Sequence, residues 1–417
     1  MLRSRASSWP YHNLLVHFLQ ARYFVELWPN VAGLENTPQN YLRIKVLLYE
    51  VIGLGIRRRL PTGGSQAIRI LYISVHAILE YDDLRMLRAL GNIVFPLGEY
   101  FAGGRAQGFR PALSWGATEA ELLARFEATG CRYDRGPAGI RLSTKFVEQF
   151  DLTIVMHDPE TLMRQWAALA VRPVVWRTIG QDMVGLEARM APLRARGLRI
   201  LRYAEAERGV PGHLGSEGLV RFHKDEAEFG GWTGALPQVL TFANRFVQRY
   251  PHEYAVFREA TAGLPVAVGG IGNEDLPGAL GVIEHDHQKK LLRDSRVYLY
   301  CSGLSISYTL NFIEAWISGI PVVALAEAVV PHAPGYSELP ALIRHGENGF
   351  IAKDAAEARG LLDALLADIG LAARIGAAGR AEATRIFGTA TVAAQWRSAL
   401  PRLVARARPW WLKWRGR

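Results

Sequence analysis

The residues best suited to chemistry lie between Arg296 and Ala324, in the stretch RVYLYCSGLSISYTLNFIEAWISGIPVVA. Val297 to Cys301 reads as a short buried strand, and Gly303 to Ser307 as a small-residue loop. Ser307 is placed to N-cap a helix over Tyr308 to Ser318, which Gly319 and Pro321 then stop before a strand opens at Pro321. A helix start of this kind leaves N–H groups unpaired at the positive end of its dipole, and that suits a diphosphate. At about 100° per residue, Leu310, Ile313 and Ile317 share a face, with Glu314 about 40° beyond Leu310 on its border. There the Glu314 carboxylate could accept hydrogen bonds from two vicinal hydroxyls, as on a ribose, each worth roughly 1.5–3 kcal/mol. A strand–loop–helix unit whose glutamate only meets water fits the same letters, so this stretch does not decide the matter alone.

The elements around it show an α/β rhythm that begins at Ile68. Strands are predicted at Ile68–Val75, Ile93–Leu97, Leu152–Met156, Pro173–Arg177, Leu198–Arg202 and Leu219–Phe222, with a helix at Glu80–Leu90 and helical or mixed segments between. After a crossover near Gly230-Gly231-Trp232-Thr233-Gly234, a second set follows at Val239–Phe242, Pro265–Val268 and Gly281–Ile283. Helices are predicted at about Ala355–Ala367 and Leu371–Ile386. Strands alternating with helices imply doubly wound, largely parallel sheets, whose ligands sit at the carboxyl ends of the strands. At such ends stand His76, His157, Arg177 and Gln181. A lone histidine at such a place is more often structural. The Gly269-Gly270-Ile271-Gly272-Asn273 loop, with Gly270, Gly272 and Asn273 at its centre, lets backbone approach a ligand closely. No GxGxxG follows the first strand, which removes support for a hydride-transfer Rossmann domain. Glu284-His285-Asp286-His287 reads as an extended loop without a spaced partner, so no metal site is assigned there.

Cys301-Ser302 followed by Thr309-Leu310-Asn311-Phe312-Ile313-Glu314-Ala315 and Ser318-Gly319-Ile320-Pro321-Val322-Val323 resembles the donor-site signature of GT-B glycosyltransferases, in particular the retaining group numbered family four. The resemblance is good over about 237–390, moderate over 68–236 and absent elsewhere. It implies two Rossmann-like domains facing a cleft, with Glu314 holding the ribose of a nucleotide sugar and Ser307, Tyr308, Thr309 and Leu310 around the diphosphate. It also implies a basic residue on the diphosphate at Arg245 or Arg249, and His157 near the reacting sugar as a catalytic residue beside Glu314. His76, Arg177 and Gln181 fall on the acceptor side, and Gly281–Ile283 near the base. Where the family has an earlier glutamate, eight positions before Glu314, this chain has Ile306. The absence of an Asp-x-Asp triplet fits the family's metal-independent habit, so no cofactor is expected and the nucleotide sugar is a substrate.

The resulting organisation is a helical extension over 1–66, an acceptor domain over 67–236, a donor domain over 237–389, and a crossover helix with a Trp-rich basic tail over 390–417. The predicted activity is hexosyl transfer to a glycan or lipid-linked acceptor, in cell-surface polysaccharide or glycolipid synthesis. A non-catalytic nucleotide-sugar-binding subunit and a nucleotide-sugar epimerase are the alternatives. At 417 residues the chain can hold two or three cores, and its two cysteines, Cys131 and Cys301, point to a reducing compartment, the cytoplasm. The longest apolar run, Val46 to Ile56, is broken by Glu50 and is too short to span a bilayer. A formal charge of +10 calls for an anionic partner. No zinc-finger, helix-turn-helix or RNA-binding signature directs it to nucleic acid. No acidic residue follows Glu382, and Trp410, Trp411 and Trp414 stand among Arg408, Lys413, Arg415 and Arg417. Together with the 1–66 extension, the 402–417 tail suits the anionic inner face of a cell membrane.

Overall fold

The computed structural model describes residues 67–103, 110–134, 139–180, 183–301, 306–329 and 335–405. The predicted extension over 1–66, Gln181, Ser302 and the tail tryptophans lie outside the described residues.

The first part of the chain runs β1 (Arg69–Ser74), α1 (Ala77–Ala89), β2 (Ile93–Leu97), α2 (Ala117–Ala128), β3 (Arg132–Tyr133), β4 (Ile140–Arg141), α3 (Thr144–Val147), β5 (Leu152–Met156), α4 (Pro159–Leu169), β6 (Val174–Arg177), α5 (Met183–Ala195), β7 (Arg199–Arg202) and β8 (Gly218–Leu219). Six of these strands form one parallel sheet in the order β2-β1-β5-β6-β7-β8. β1 shows why it sits inside. Its side chains alternate, Ile70 and Tyr72 packing on one face and Leu71 and Ile73 on the other, and all four are fully buried.

The second part runs β9 (Leu236–Phe242), α6 (Phe246–Arg249), α7 (Pro251–Ala260), β10 (Val266–Gly269), β11 (Ala279–Gly281), α8 (His285–Asp294), β12 (Ser295–Tyr300), α9 (Leu310–Ser318), β13 (Val322–Leu325), α10 (Leu339–Leu342), β14 (Phe350–Ala352), α11 (Ala355–Ala367), α12 (Ile369–Phe387) and α13 (Thr389–Val404). Its sheet is again parallel, ordered β11-β10-β9-β12-β13-β14. Two aspartates start the closing helices. Asp354 accepts from the Glu357 N–H at 2.8 Å, and Asp368 from those of Gly370 and Leu371 at 2.8 and 2.9 Å.

The last helix returns to the first lobe: α13 packs on α1 and β8. Gln395 accepts the Arg221 N–H at 2.8 Å, and the Arg177 guanidinium lies 5.0 Å from the centre of the buried Trp396 ring. Several boundaries differ from the sequence reading. The strand expected at Leu219–Phe222 is only Gly218–Leu219, because the chain after it leaves the sheet to cross between lobes. The strand expected at Gly281–Ile283 is Ala279–Gly281. His285 opens helix α8 with Glu284 at its N-cap, where an extended loop was expected. Among the described residues no helix is long and apolar enough to cross a membrane.

Candidate functional site between the two sheets

Each sheet has one point where successive connections leave in opposite directions, and a crevice opens there at the carboxyl ends. In the first sheet it lies between β1 and β5, paired in register with Ser74 opposite Met156. His76 and His157 follow these two strands directly, so the structure brings these predicted histidines together. The His76 ring accepts the Leu79 N–H through Nδ1 at 3.3 Å, capping α1. Burial, with a smaller push from Lys224, lowers its pKa to about 4, so the ring is neutral at pH 7. His157 takes a left-handed backbone (φ 46°), a conformation that costs a non-glycine residue energy and recurs at functional sites.

In the second sheet the reversal lies between β9 and β12. The loop after β12 leads into α9, and the loop after β9 carries Arg245. The N-cap of α9 is Thr309, not Ser307: its side chain accepts the Phe312 N–H at 3.3 Å. Ser307 is two residues too early because Tyr308 and Thr309 remain outside the helix. Arg245 is exposed and holds a left-handed backbone (φ 50°), its N–H given to the Ile271 carbonyl at 2.7 Å. Gly270 and Gly272 are glycines by necessity. Their φ values are 130° and 75°, and a Cβ on Gly270 would lie 2.2 Å from the Ala243 carbonyl oxygen.

Glu314 sits in the second turn of α9 and is 1% exposed. Its Oε1 accepts from Arg110 Nη2 at 2.8 Å and lies 2.7 Å from Lys224 Nζ, while Oε2 accepts from Gln288 of α8 at 2.7 Å. Lys224, also 1% exposed, lies 2.8 Å from Asp82 Oδ2 of α1. Burial alone would raise the Glu314 pKa, yet Lys224 and Arg110 outweigh it and hold the carboxyl below its ordinary value. Two cations, a second carboxylate and an amide thus gather from the first lobe, the crossover and the second lobe around the predicted ribose ligand. Arg110, Lys224, Asp82 and Gln288 escaped the sequence reading. Each is remote from Glu314 in sequence, and none stands in a motif.

Three predicted residues are engaged elsewhere, and a fourth is exposed. Arg177 does not line an acceptor site: it is fully buried, 2.7 Å from Asp83 Oδ2, and donates to the Val220 carbonyl at 3.0 Å. The Asn273 side chain ties two loops together, accepting from Phe246 N–H at 2.8 Å and donating to the Gly270 carbonyl at 3.1 Å. The Tyr308 ring is buried between lobes, where its hydroxyl accepts from Arg221 at 3.3 Å and donates to the Tyr203 carbonyl. Arg249 is exposed, its guanidinium 5.2 Å from the Tyr250 ring centre. His285, rejected as a metal ligand, has Nε2 2.7 Å from Glu228 Oε1.

No family model and no curated protein sequence matches this chain. Solved structures do resemble it. Anabaena Alr3699/HepE in complex with UDP and glucose aligns at a TM-score of 0.53 and 14% identity, covering 80% of this chain and 100% of that one. The same protein with UDP-glucose aligns at 0.52, again over 80% and 100% at 14% identity. A glycosyltransferase from Rickettsia africae ESF-5 aligns at 0.54 and 10% identity, covering 82% of this chain and 100% of that one. With two doubly wound parallel sheets, a cleft at their carboxyl ends and a final helix returning to the first lobe, the chain has the GT-B glycosyltransferase fold.

Proposed function

We propose that this protein transfers a hexose from a nucleoside-diphosphate sugar to a glycan or lipid-linked acceptor with retention of anomeric configuration. The observation that carries the reading is Glu314: a buried, ionised carboxylate in the second turn of a helix that starts at the reversal point of the second sheet. HepE, which shares the fold, holds UDP and glucose.

In this reading the diphosphate meets the N–H groups at the start of α9, where the helix dipole is positive. Ribose hydroxyls take the place of Arg110 on Glu314, and Arg110 turns with Arg245 toward the phosphates. Cations there stabilise charge as the bond between the anomeric carbon and the diphosphate oxygen breaks. The acceptor hydroxyl bonds to that carbon from the same face, and its proton passes to the departing phosphate oxygen. His157 stands by the sugar from the first lobe. The transfer uses no resident metal or cofactor. It serves cell-surface polysaccharide or glycolipid synthesis in the cytoplasm, with the basic ends of the chain against the membrane.

A second reading, a nucleotide-sugar-binding partner without turnover, is favoured by Ile306 in place of the family's earlier glutamate. Release of nucleoside diphosphate, measured over UDP-, GDP-, TDP- and ADP-sugars with lipid-linked acceptors, separates them. Transfer is expected from the wild type and at least about a hundredfold less from E314A, the loss of two charged hydrogen bonds. Donor binding with no release above the E314A level on any acceptor supports the second reading instead.

A further inference from the structure

Lys224 is the least expected member of the cleft. Its ammonium is 1% exposed, and long cationic side chains are seldom buried unless paired. The segment that carries it crosses between the lobes and is pinned by its own backbone, the Lys224 N–H donating to the Phe387 carbonyl at 3.1 Å. Two carboxylates from opposite lobes then hold the charge: Asp82 Oδ2 at 2.8 Å and Glu314 Oε1 at 2.7 Å. The contact with Glu314 is not needed to hold the crossover on the second lobe. The bidentate Arg221–Glu338 pair and the Arg380 guanidinium, which donates to the Glu226 carbonyl at 2.7 Å, already tie the crossover to the second lobe.

We propose that Lys224 is a positioning residue for nucleotide binding: anchored on Asp82, it holds the Glu314 carboxylate ionised and oriented for the pentose hydroxyls, and it stays in place when Arg110 leaves. The proposal rests on the donor-site reading above and adds to it the group that keeps the carboxylate ready. Arg110 alone cannot do this, because it is the partner the ribose replaces. Gln288 carries no charge. His285 of α8 adds a smaller push in the same direction but is bound 2.7 Å from Glu228, and Tyr298 of β12 is held neutral by burial. His76 is neutral as well. Once the nucleotide is bound, Lys224 is the cation left on Glu314.

Two measurements on the full chain test this. The first needs no nucleotide: the Glu314 carboxyl carbon is followed through a pH titration by NMR on 13C-glutamate-labelled protein, the signal identified by its loss in E314Q. In the wild type it is expected to titrate below the ordinary glutamate range. In K224M it is expected to move upward, because Asp82 and Glu314 then face each other with one cation fewer, and K224R is expected to restore it. An unmoved signal in K224M overturns the proposal. The second measures UDP, GDP, TDP and ADP affinity by calorimetry between pH 5 and 8.5. For the nucleotide that binds the wild type, K224M is expected to lose about tenfold or more at pH 7, with part recovered at higher pH, and K224R to stay within about threefold. Loss that is the same at every pH, or that K224R does not rescue, contradicts a positioning role. If K224M does not fold, D82N serves: it leaves Lys224 on Glu314 without its anchor, and is expected to weaken the nucleotide several-fold with the carboxyl titration kept low. Unchanged affinity in D82N counts against the anchor. If the titrations behave as stated and no nucleotide binds the wild type, the donor-site reading fails and the electrostatic role of Lys224 stands.

Discussion

At the scale of single residues, the first lobe contains a buried acid with a measurable signature. Glu80 is fully buried, and a Cβ on Gly98 would lie 2.2 Å from its Oε2. Burial raises its pKa to about 8, against the opposing N–H groups of Glu99 and Tyr100 at 2.9 and 3.3 Å. In the unfolded chain the same carboxyl titrates near 4.5. Between those values the folded protein keeps a proton that the unfolded chain releases. Stability from this residue is therefore full below about pH 4.5 and falls as pH rises toward about 8. Glu80→Gln keeps an acceptor oxygen and cannot ionise, so the drop in unfolding free energy between pH 5 and pH 8 should be smaller in the variant. An equal drop in both proteins would mean that Glu80 is ionised in the fold. Glu228 acts with the opposite sign. His285, hydrogen-bonded to it, holds its carboxyl down at about 2, so its stabilisation is present above about pH 4.5 and lost on acidification.

At the scale of elements, α9 is held in place by α12, and two glycines make that approach possible. A Cβ on Gly376 would lie 2.0 Å from the Gly319 carbonyl oxygen, and one on Gly379 2.6 Å from Trp316 Nε1. Backbone cannot yield as a side chain can, so Gly376→Ala should destabilise by about 2 kcal/mol or more, through overpacking. Gly360 on α11 is exposed and has nothing within 4 Å of a Cβ, so Gly360→Ala should stabilise by about 0.5–1 kcal/mol. Urea unfolding of the two variants checks both signs, and equal effects would refute the packing argument. These elements were legible in the sequence because their signals are local. The run Ala355–Ala367 begins after a capping Asp354, and Leu152–Met156 is a short uncharged strand rich in apolar residues, and both are found at those bounds. The start of α9 was misplaced by two residues because Ser307 and Thr309 are both competent caps, and only packing, which buries Ser307, chooses between them.

At the scale of the whole molecule, the parts least legible in the sequence are those that join the lobes. Glu314 was marked by its helix, but its partners come from three separate segments, and long-range ion pairs leave no periodicity. Arg177 shows the same limit. Its place at a strand end suggested a ligand, yet it binds Asp83 and stacks on Phe222 and Trp396, tying the first sheet to the crossover and the return helix. Arg177→Ala leaves Asp83 buried without its cation and should lower stability by about 3–5 kcal/mol. Nucleotide affinity, measured well below the variant's thermal midpoint, should be unchanged; a selective loss of acceptor use at full stability would return Arg177 to the site. The central claim concerns the cleft itself and is tested most directly by a crystal structure of the full chain with whichever of UDP, GDP, TDP or ADP most raises its thermal midpoint. The account predicts the diphosphate at the Thr309–Leu310 end of α9 and ribose hydroxyls within hydrogen-bond distance of Glu314, with Arg110 displaced and Lys224 in place. A nucleotide bound elsewhere, with Arg110 and Lys224 still both on Glu314, would contradict it.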